Sequence, residues 1–217
     1  MEKKNAMILG DSYSTFEGHI PTGYAAYYIS AGRESTDVTR VEETWWYELM
    51  REEGYHLLRN DSWSGSTVGY TGYNGADTSK TSCFITRMER LESEGFFAEN
   101  EIGTLLIFGT TNDSWCGAPL GESASGEIAR EDLYTVLPAI EYLVRTAKRI
   151  LPRARIIFLI NTGLKEEITR EIVASAQRNG IEALALGEID KKCGHPTIKG
   201  MADIKRQVKA YLAETRA

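Results

Sequence analysis

Ala6-Met7-Ile8-Leu9-Gly10-Asp11-Ser12-Tyr13-Ser14 is the stretch from which the rest of the chain can be read. Four apolar residues, free of Pro and charge, run into a Gly/Asp/Ser cluster, the pattern of a buried strand meeting a turn. A serine in that place stands at the carboxyl end of a strand, where open α/β sheets hold their ligands. Alone, the cluster also fits a helix N-cap, because Asp and Ser side chains accept from free backbone N–H groups. Later stretches decide between a cap and a nucleophile.

Four further apolar runs end in the same kind of cluster or turn. They are 55–59, leading into Asn60-Asp61-Ser62-Trp63-Ser64-Gly65; 104–108, leading into Gly109-Thr110-Thr111-Asn112-Asp113; 155–160, leading into Asn161-Thr162-Gly163; and 181–186. Near-continuous apolar runs suit strands covered on both faces, as in parallel sheets. Between them lie helical stripes: Trp45, Trp46, Leu49 and Met50; Phe84, Ile85, Met88 and Leu91; Leu133, Leu137, Ile140, Val144 and Ala147, with a kink expected at Pro138; Ile168, Ile172 and Ala176; and Ile198, Met201, Ile204, Val208 and Leu212. These stripes read as core packing. Strand and helix alternate five times, which predicts an α/β fold, a parallel sheet with helices on both faces. With no repeat, low-complexity segment or linker, residues 1–217 are expected to form a single domain.

Two connections exceed plain turns. Residues 16–40 carry Tyr24, Tyr27 and Tyr28 among Gly, Pro and Ser, and residues 116–129 are rich in Gly and Ser. Long connections at the carboxyl end of a sheet form lids or binding walls. The tyrosines fit a substrate wall and a small satellite core or subunit contact equally well.

The charge balance, 25 Lys+Arg against 31 Asp+Glu, leaves a net charge of −6 and no basic cluster. Nucleic acid is therefore not an expected partner, since phosphate binding needs a concentrated positive patch. No run approaches the roughly 20 apolar residues that span a bilayer, and no signal-peptide pattern opens the chain. Cys83, Cys116 and Cys193 are few, odd in number and without metal-ligand spacing. A cytoplasmic protein with free thiols is the expectation, and oligomeric state is not legible.

Serine-based ester hydrolysis needs a nucleophile, a base, a group that orients the base, and donors for the oxyanion. Ser12 is the candidate nucleophile. If the strand order is 2-1-3-4-5, Gly65 and Asn112 end the two strands flanking the first, about 5 Å to either side, where an oxyanion hole would be. Three histidines compete as base: His19 in the long connection, His56 at a strand start, and His195 in Lys191-Lys192-Cys193-Gly194-His195-Pro196-Thr197 before the last helix. His195 alone combines the functional end of the sheet with a connection long enough to reach Ser12.

These blocks resemble the SGNH (GDSL-type) hydrolases, whose signature is Ser, Gly, Asn and His in this order. Gly10-Asp11-Ser12-Tyr13-Ser14 resembles the first block, Asn60 to Thr67 the second, Gly109-Thr110-Thr111-Asn112-Asp113 the third, and His195-Pro196-Thr197-Ile198-Lys199-Gly200 the last. The resemblance implies a flavodoxin-like three-layer α/β/α fold and ester hydrolysis without metal or other cofactor. It further implies Ser12 as nucleophile, His195 as base, and an oxyanion hole of Ser12, Gly65 and Asn112. The family places an Asp three residues before the histidine, but Lys192 stands there. Asp190 is the expected orienting carboxylate, with Glu188 or a main-chain carbonyl as alternatives.

Asp11, Trp63 and Trp115 are expected to face the substrate, a small-molecule or glycan ester, with short acyl groups such as O-acetyl on a carbohydrate favoured. Other readings are a lipase or thioesterase of the same family, a non-catalytic flavodoxin-like binding module, and a metal-dependent hydrolase using Asp11, Asp113 and His195. A nucleotide-binding protein is disfavoured because no Gly-rich phosphate loop follows a strand.

Overall fold

In the computed structural model, which describes residues 4–214, the apolar run ending at Gly10 is strand β1 (Lys4–Gly10). It lies between β2 (Tyr55–Ser62) and β3 (Thr104–Phe108), with β4 (Arg155–Ile160) and β5 (Glu182–Ala185) beyond β3. The sheet is parallel throughout, in the order 2-1-3-4-5. β2 extends past the expected 55–59. Its end, Asn60-Asp61-Ser62, runs in register with Ile8-Leu9-Gly10.

The helices are α1 (Trp45–Glu52), α2 (Phe84–Ser93), α3 (Phe96–Glu99), α4 (Thr111–Trp115), α5 (Val136–Ile150), α6 (Glu166–Asn179) and α7 (Ile198–Glu214). Because side chains alternate along a strand, each inner strand feeds two cores. Met7, Leu9, Leu105, Ile107, Ile156 and Phe158 pack with α2, α5 and α6. Ala6, Ile8, Leu106, Phe108, Ile157 and Leu159 pack with α1 and α7. Helices thus cover both faces, the three-layer arrangement expected of uninterrupted apolar strands.

Two local expectations are corrected. Leu133 lies in a short 3-10 turn, Glu131–Tyr134, and α5 begins only at Val136. Pro138 therefore sits in the first turn of α5, where an N–H has no intrahelical acceptor and a proline is accommodated. The long connection after Phe16 contributes to the core itself: Phe16, Tyr28, Val38 and Val41 are buried against the α1/α7 face. Among the described residues no helix is long and apolar enough to cross a membrane.

Candidate active site

The turn after β1 assigns its two polar side chains different tasks. Residues Ser12–Ser14 form one 3-10 turn, and Asp11 caps it, its Oδ1 accepting from the Tyr13 N–H at 3.0 Å. Capping is done by the aspartate, which leaves the Ser12 hydroxyl for another partner. Gly10 is required by crowding: a Cβ there would overlap the Ser62 hydroxyl and come within 2.8 Å of the Ser14 Cβ. Thr15 Oγ1 donates to the Ser12 carbonyl at 2.9 Å.

The partner of Ser12 comes from the far end of the chain. Two short antiparallel strands, β6 (Lys191–Lys192) and β7 (His195–Pro196), form a hairpin across Cys193 and Gly194. Both turn residues have positive φ, 49° and 80°, as two-residue turns of this type require. His195 Nε2 lies 3.0 Å from Ser12 Oγ, and its Nδ1 lies 3.3 Å from the Cys193 carbonyl. A carbonyl only accepts, so Nδ1 carries the ring proton and the Nε2 lone pair faces the serine hydroxyl. Burial, reinforced by the charges of Arg33 and Lys191, holds the imidazole pKa down to about 4, against the opposing pull of the Cys193 carbonyl.

Asp190 does not orient this ring. Its carboxylate accepts from the Thr197 hydroxyl and its main-chain carbonyl from the Thr197 N–H at 3.1 Å, so it stabilises the base of the hairpin. Glu188 is exposed as well, and its carbonyl accepts from Gln207 Nε2 at 3.5 Å. The tight hairpin turn, rather than a carboxylate, supplies the acceptor for Nδ1. The hairpin is held from below by Tyr13, whose hydroxyl donates to the Gly194 carbonyl at 2.5 Å. Tyr28 donates to the Pro196 carbonyl at 3.0 Å, and Asp37 accepts from the Ile198 N–H at 2.8 Å.

The flanking strand ends carry the candidate oxyanion donors. Gly65 is exposed with φ 80°, and neither its N–H nor that of Ser12 has a hydrogen-bond partner among the described residues. Thr110, at φ 69°, holds a left-handed conformation that is strained for a β-branched residue and sets Asn112 in the first turn of α4. Asn112 Nδ2 donates to the Ser66 carbonyl at 2.9 Å, and its Oδ1 accepts from the Tyr73 hydroxyl at 2.8 Å. With two amide protons, Nδ2 retains one beyond the Ser66 bond. Asp113 joins the second and third blocks, accepting from the N–H groups of Val68 at 2.9 Å and Gly69 at 3.3 Å.

Burial pushes the Asp11 carboxyl up to about 7 and that of Asp113 up to about 6. Asp11, expected to face the substrate, is fully buried, with its Oδ1 capping the Ser12–Ser14 turn. Trp115 is 43% exposed and meets His195 edge to face, ring centroids 5.7 Å apart. Trp63 is half-buried and packs on Tyr24, with centroids 4.2 Å apart. His19 and His56 instead line a cavity of about 400 Å³ with Trp46 and Tyr55. Among the described residues no group of three His, Cys, Asp or Glu side chains is placed to hold a metal, including Asp11, Asp113 and His195.

Three groups at the site are not singled out by the sequence patterns above, the Cys193 carbonyl, Tyr73 and Arg87, while Tyr27 stands out only as one tyrosine of the long connection. Arg87 is fully buried and reaches the Gly10 carbonyl at 3.0 Å, Ser66 Oγ at 3.2 Å and the Asp61 carboxylate at 2.8 Å. It ties the end of β1 to the end of β2. An arginine three residues after Phe84, on the apolar stripe of α2, was the available signal.

A parallel 2-1-3-4-5 sheet with a serine–histidine pair at its carboxyl ends has the architecture of the SGNH-type hydrolases. The chain belongs to the GDSL-like lipase/acylhydrolase family, whose model matches residues 4–212. A Bacteroides ovatus protein described as a GDSL-like lipase is 42% identical, with a TM-score of 0.91 over 99% of this chain and 100% of its own. A Bacteroides uniformis protein of the same description is also 42% identical, with a TM-score of 0.90 over 98% of this chain and 96% of its own. An acetyl xylan esterase of Butyrivibrio proteoclasticus shares the fold at 19% identity, with a TM-score of 0.61 over 99% of this chain and 64% of its own. Comparison with curated proteins gives no match.

Proposed function

We propose that the chain is a serine esterase that hydrolyses carboxylic esters by a Ser12–His195 mechanism. The observation that carries the reading is the 3.0 Å bond from Ser12 to an imidazole whose other nitrogen is fixed on a carbonyl. Ser12 Oγ attacks the ester carbonyl carbon while His195 Nε2 takes the hydroxyl proton. The oxyanion is met by the Ser12 and Gly65 N–H groups and by the remaining Asn112 amide proton. Collapse of the tetrahedral adduct breaks the bond to the alcohol, which leaves with the proton from Nε2. Water, deprotonated by His195, then attacks the acyl-serine, and the second collapse releases the acid and restores the hydroxyl.

The substrate we propose is a short-acyl ester, such as an O-acetyl group on a carbohydrate. Two aromatic surfaces support it, Trp115 beside His195 and the Trp63–Tyr24 pair near Gly65, because flat rings suit sugar faces. The acetyl xylan esterase sharing this fold agrees with that choice. The test is a series of p-nitrophenyl esters from acetate to palmitate beside an acetylated xylo-oligosaccharide, each with the parent and with Ser12→Ala. Ser12-dependent turnover that falls with acyl length is expected. Activity unchanged in Ser12→Ala contradicts the mechanism, and a preference for palmitate contradicts the substrate.

A further inference from the structure

The imidazole of His195 is held more loosely by hydrogen bonds than a charged partner would hold it. Its Nδ1 bond to the Cys193 carbonyl is 3.3 Å long and involves no full charge, whereas a carboxylate makes a shorter, charge-assisted bond. Neither this long bond nor the 3.0 Å contact of Nε2 with Ser12 Oγ carries a full charge to hold the ring plane. An aromatic face lies along that plane: the Tyr27 ring lies 3.5 Å from the imidazole centroid and 7° from parallel.

Tyr27 is itself secured. Its N–H donates to Thr15 Oγ1 at 2.9 Å, and the same hydroxyl donates to the Ser12 carbonyl at 2.9 Å. One threonine therefore fixes the stacked tyrosine relative to the serine turn. At the other end of the side chain the Tyr27 hydroxyl donates to Ser35 Oγ at 2.8 Å. The Arg33 guanidinium lies 5.4 Å from the centroid of the Tyr27 ring, and the Tyr28 ring meets its edge with centroids 5.0 Å apart. The long connection thus delivers a flat, braced surface to the histidine.

We propose that Tyr27 is a positioning residue for the ester-hydrolysing reaction, its ring holding the His195 imidazole in the plane that presents Nε2 to Ser12. The proposal rests on the serine-esterase reading. The stack does part of what a triad carboxylate does by fixing the ring. In this proposal Tyr27 acts through His195 rather than on the ester itself.

Removing the ring has two separable effects. Misaligning the base lowers kcat, by about 10- to 100-fold for a displacement near 1 Å, while KM stays close to the parent value. Admitting water to the imidazole relieves the burial that holds its pKa near 4. His195 works as a base only when neutral, so the acid limb of kcat/KM should move up from about pH 4 toward the ordinary histidine value of about 6.5. The groups facing the ring are Ser12 and Tyr13 from the turn, Tyr27 and Arg33 from the long connection, Trp115 from α4, and Lys191 and Cys193 of its own hairpin. All but Tyr27 remain in the variant.

The experiment compares Tyr27→Ala, Tyr27→Leu and Tyr27→Phe with the parent, by steady-state kinetics across pH and by NMR titration of the His195 imidazole. Tyr27→Phe keeps the flat face and should stay within about threefold of the parent in kcat, with an unmoved titration. Tyr27→Ala should lose kcat and show the upward titration; Tyr27→Leu, which keeps bulk without a flat face, should lose kcat with a smaller upward titration and serves if the alanine chain does not fold. Parent-like kcat in Tyr27→Leu overturns the proposal, as does an equal loss in Tyr27→Phe or an unmoved His195 titration in every variant. Failure of the underlying reading looks different: the parent then shows no Ser12-dependent ester hydrolysis, while the NMR titration still reports on the stack.

Discussion

At the scale of single residues the proposed mechanism separates groups that would touch the reacting atoms from groups that aim them. Asn112 is aimed by two bonds, to the Ser66 carbonyl and from the Tyr73 hydroxyl. Asn112→Ala should lower kcat by about 10²- to 10³-fold, the usual loss of one oxyanion donor, with KM nearly unchanged. Tyr73→Phe leaves the amide in place but frees its rotation, and a smaller kcat loss of about 3- to 10-fold is expected. A change confined to KM in both variants would mean that Asn112 binds substrate rather than the transition state. Asp190 provides the contrast. With its carboxylate on Thr197, Asp190→Ala should cost less than about 10-fold in kcat, far short of the roughly 10⁴-fold loss of a true triad carboxylate. A 10⁴-fold loss would put Asp190 back on the imidazole during turnover.

At the scale of elements, the strand ends are the working parts and α2 reinforces them. Arg87 projects from α2 beneath the site and pairs with Asp61, both fully buried. Arg87→Met strands that carboxylate, although Arg59 still reaches it at 2.7 Å. A destabilisation of roughly 3–5 kcal/mol, toward the lower end, is expected from breaking a buried pair, read from the midpoint of urea unfolding. A loss below about 1 kcal/mol would show that Arg59 suffices.

The strands and the apolar helices were legible because buried parallel strands read as unbroken apolar runs and helices as stripes. The β6–β7 hairpin was not legible. Its strands are two residues each, and its left-handed turn uses Cys193 where Asn or Asp would have signalled it. The tyrosines of residues 16–40 stood out, but nothing in their spacing says that Tyr27 stacks on a histidine 168 positions later in the chain.

At the scale of the molecule, a two-sided core carries a site that burial itself has tuned. Asp11, up at about 7, and Asp113, up at about 6, bind protons more tightly in the folded state than in the unfolded chain. Their contribution to stability is full below the ordinary aspartate value of 3.8 and is lost as pH rises through about 6 and 7. His195 runs the other way: its contribution is present above 6.5 and is lost as pH falls toward about 4. Asp11→Asn should therefore be more stable than the parent near pH 8, with the gap narrowing toward pH 5, as thermal unfolding at both values would record. An equal gap at the two pH values would show that Asp11 does not titrate on unfolding.

The four candidate site positions stand out in the sequence because each follows a strand or precedes a helix at the carboxyl edge of one sheet. The acceptor for the imidazole was not, because a main-chain carbonyl leaves no mark in a sequence. The most direct measurement is peptide mapping after reaction with a fluorophosphonate. The account predicts one adduct, on Ser12, whose formation is lost in His195→Ala. An adduct on Ser14, Ser62 or Ser64 with Ser12 unmodified, or undiminished labelling without His195, would contradict it.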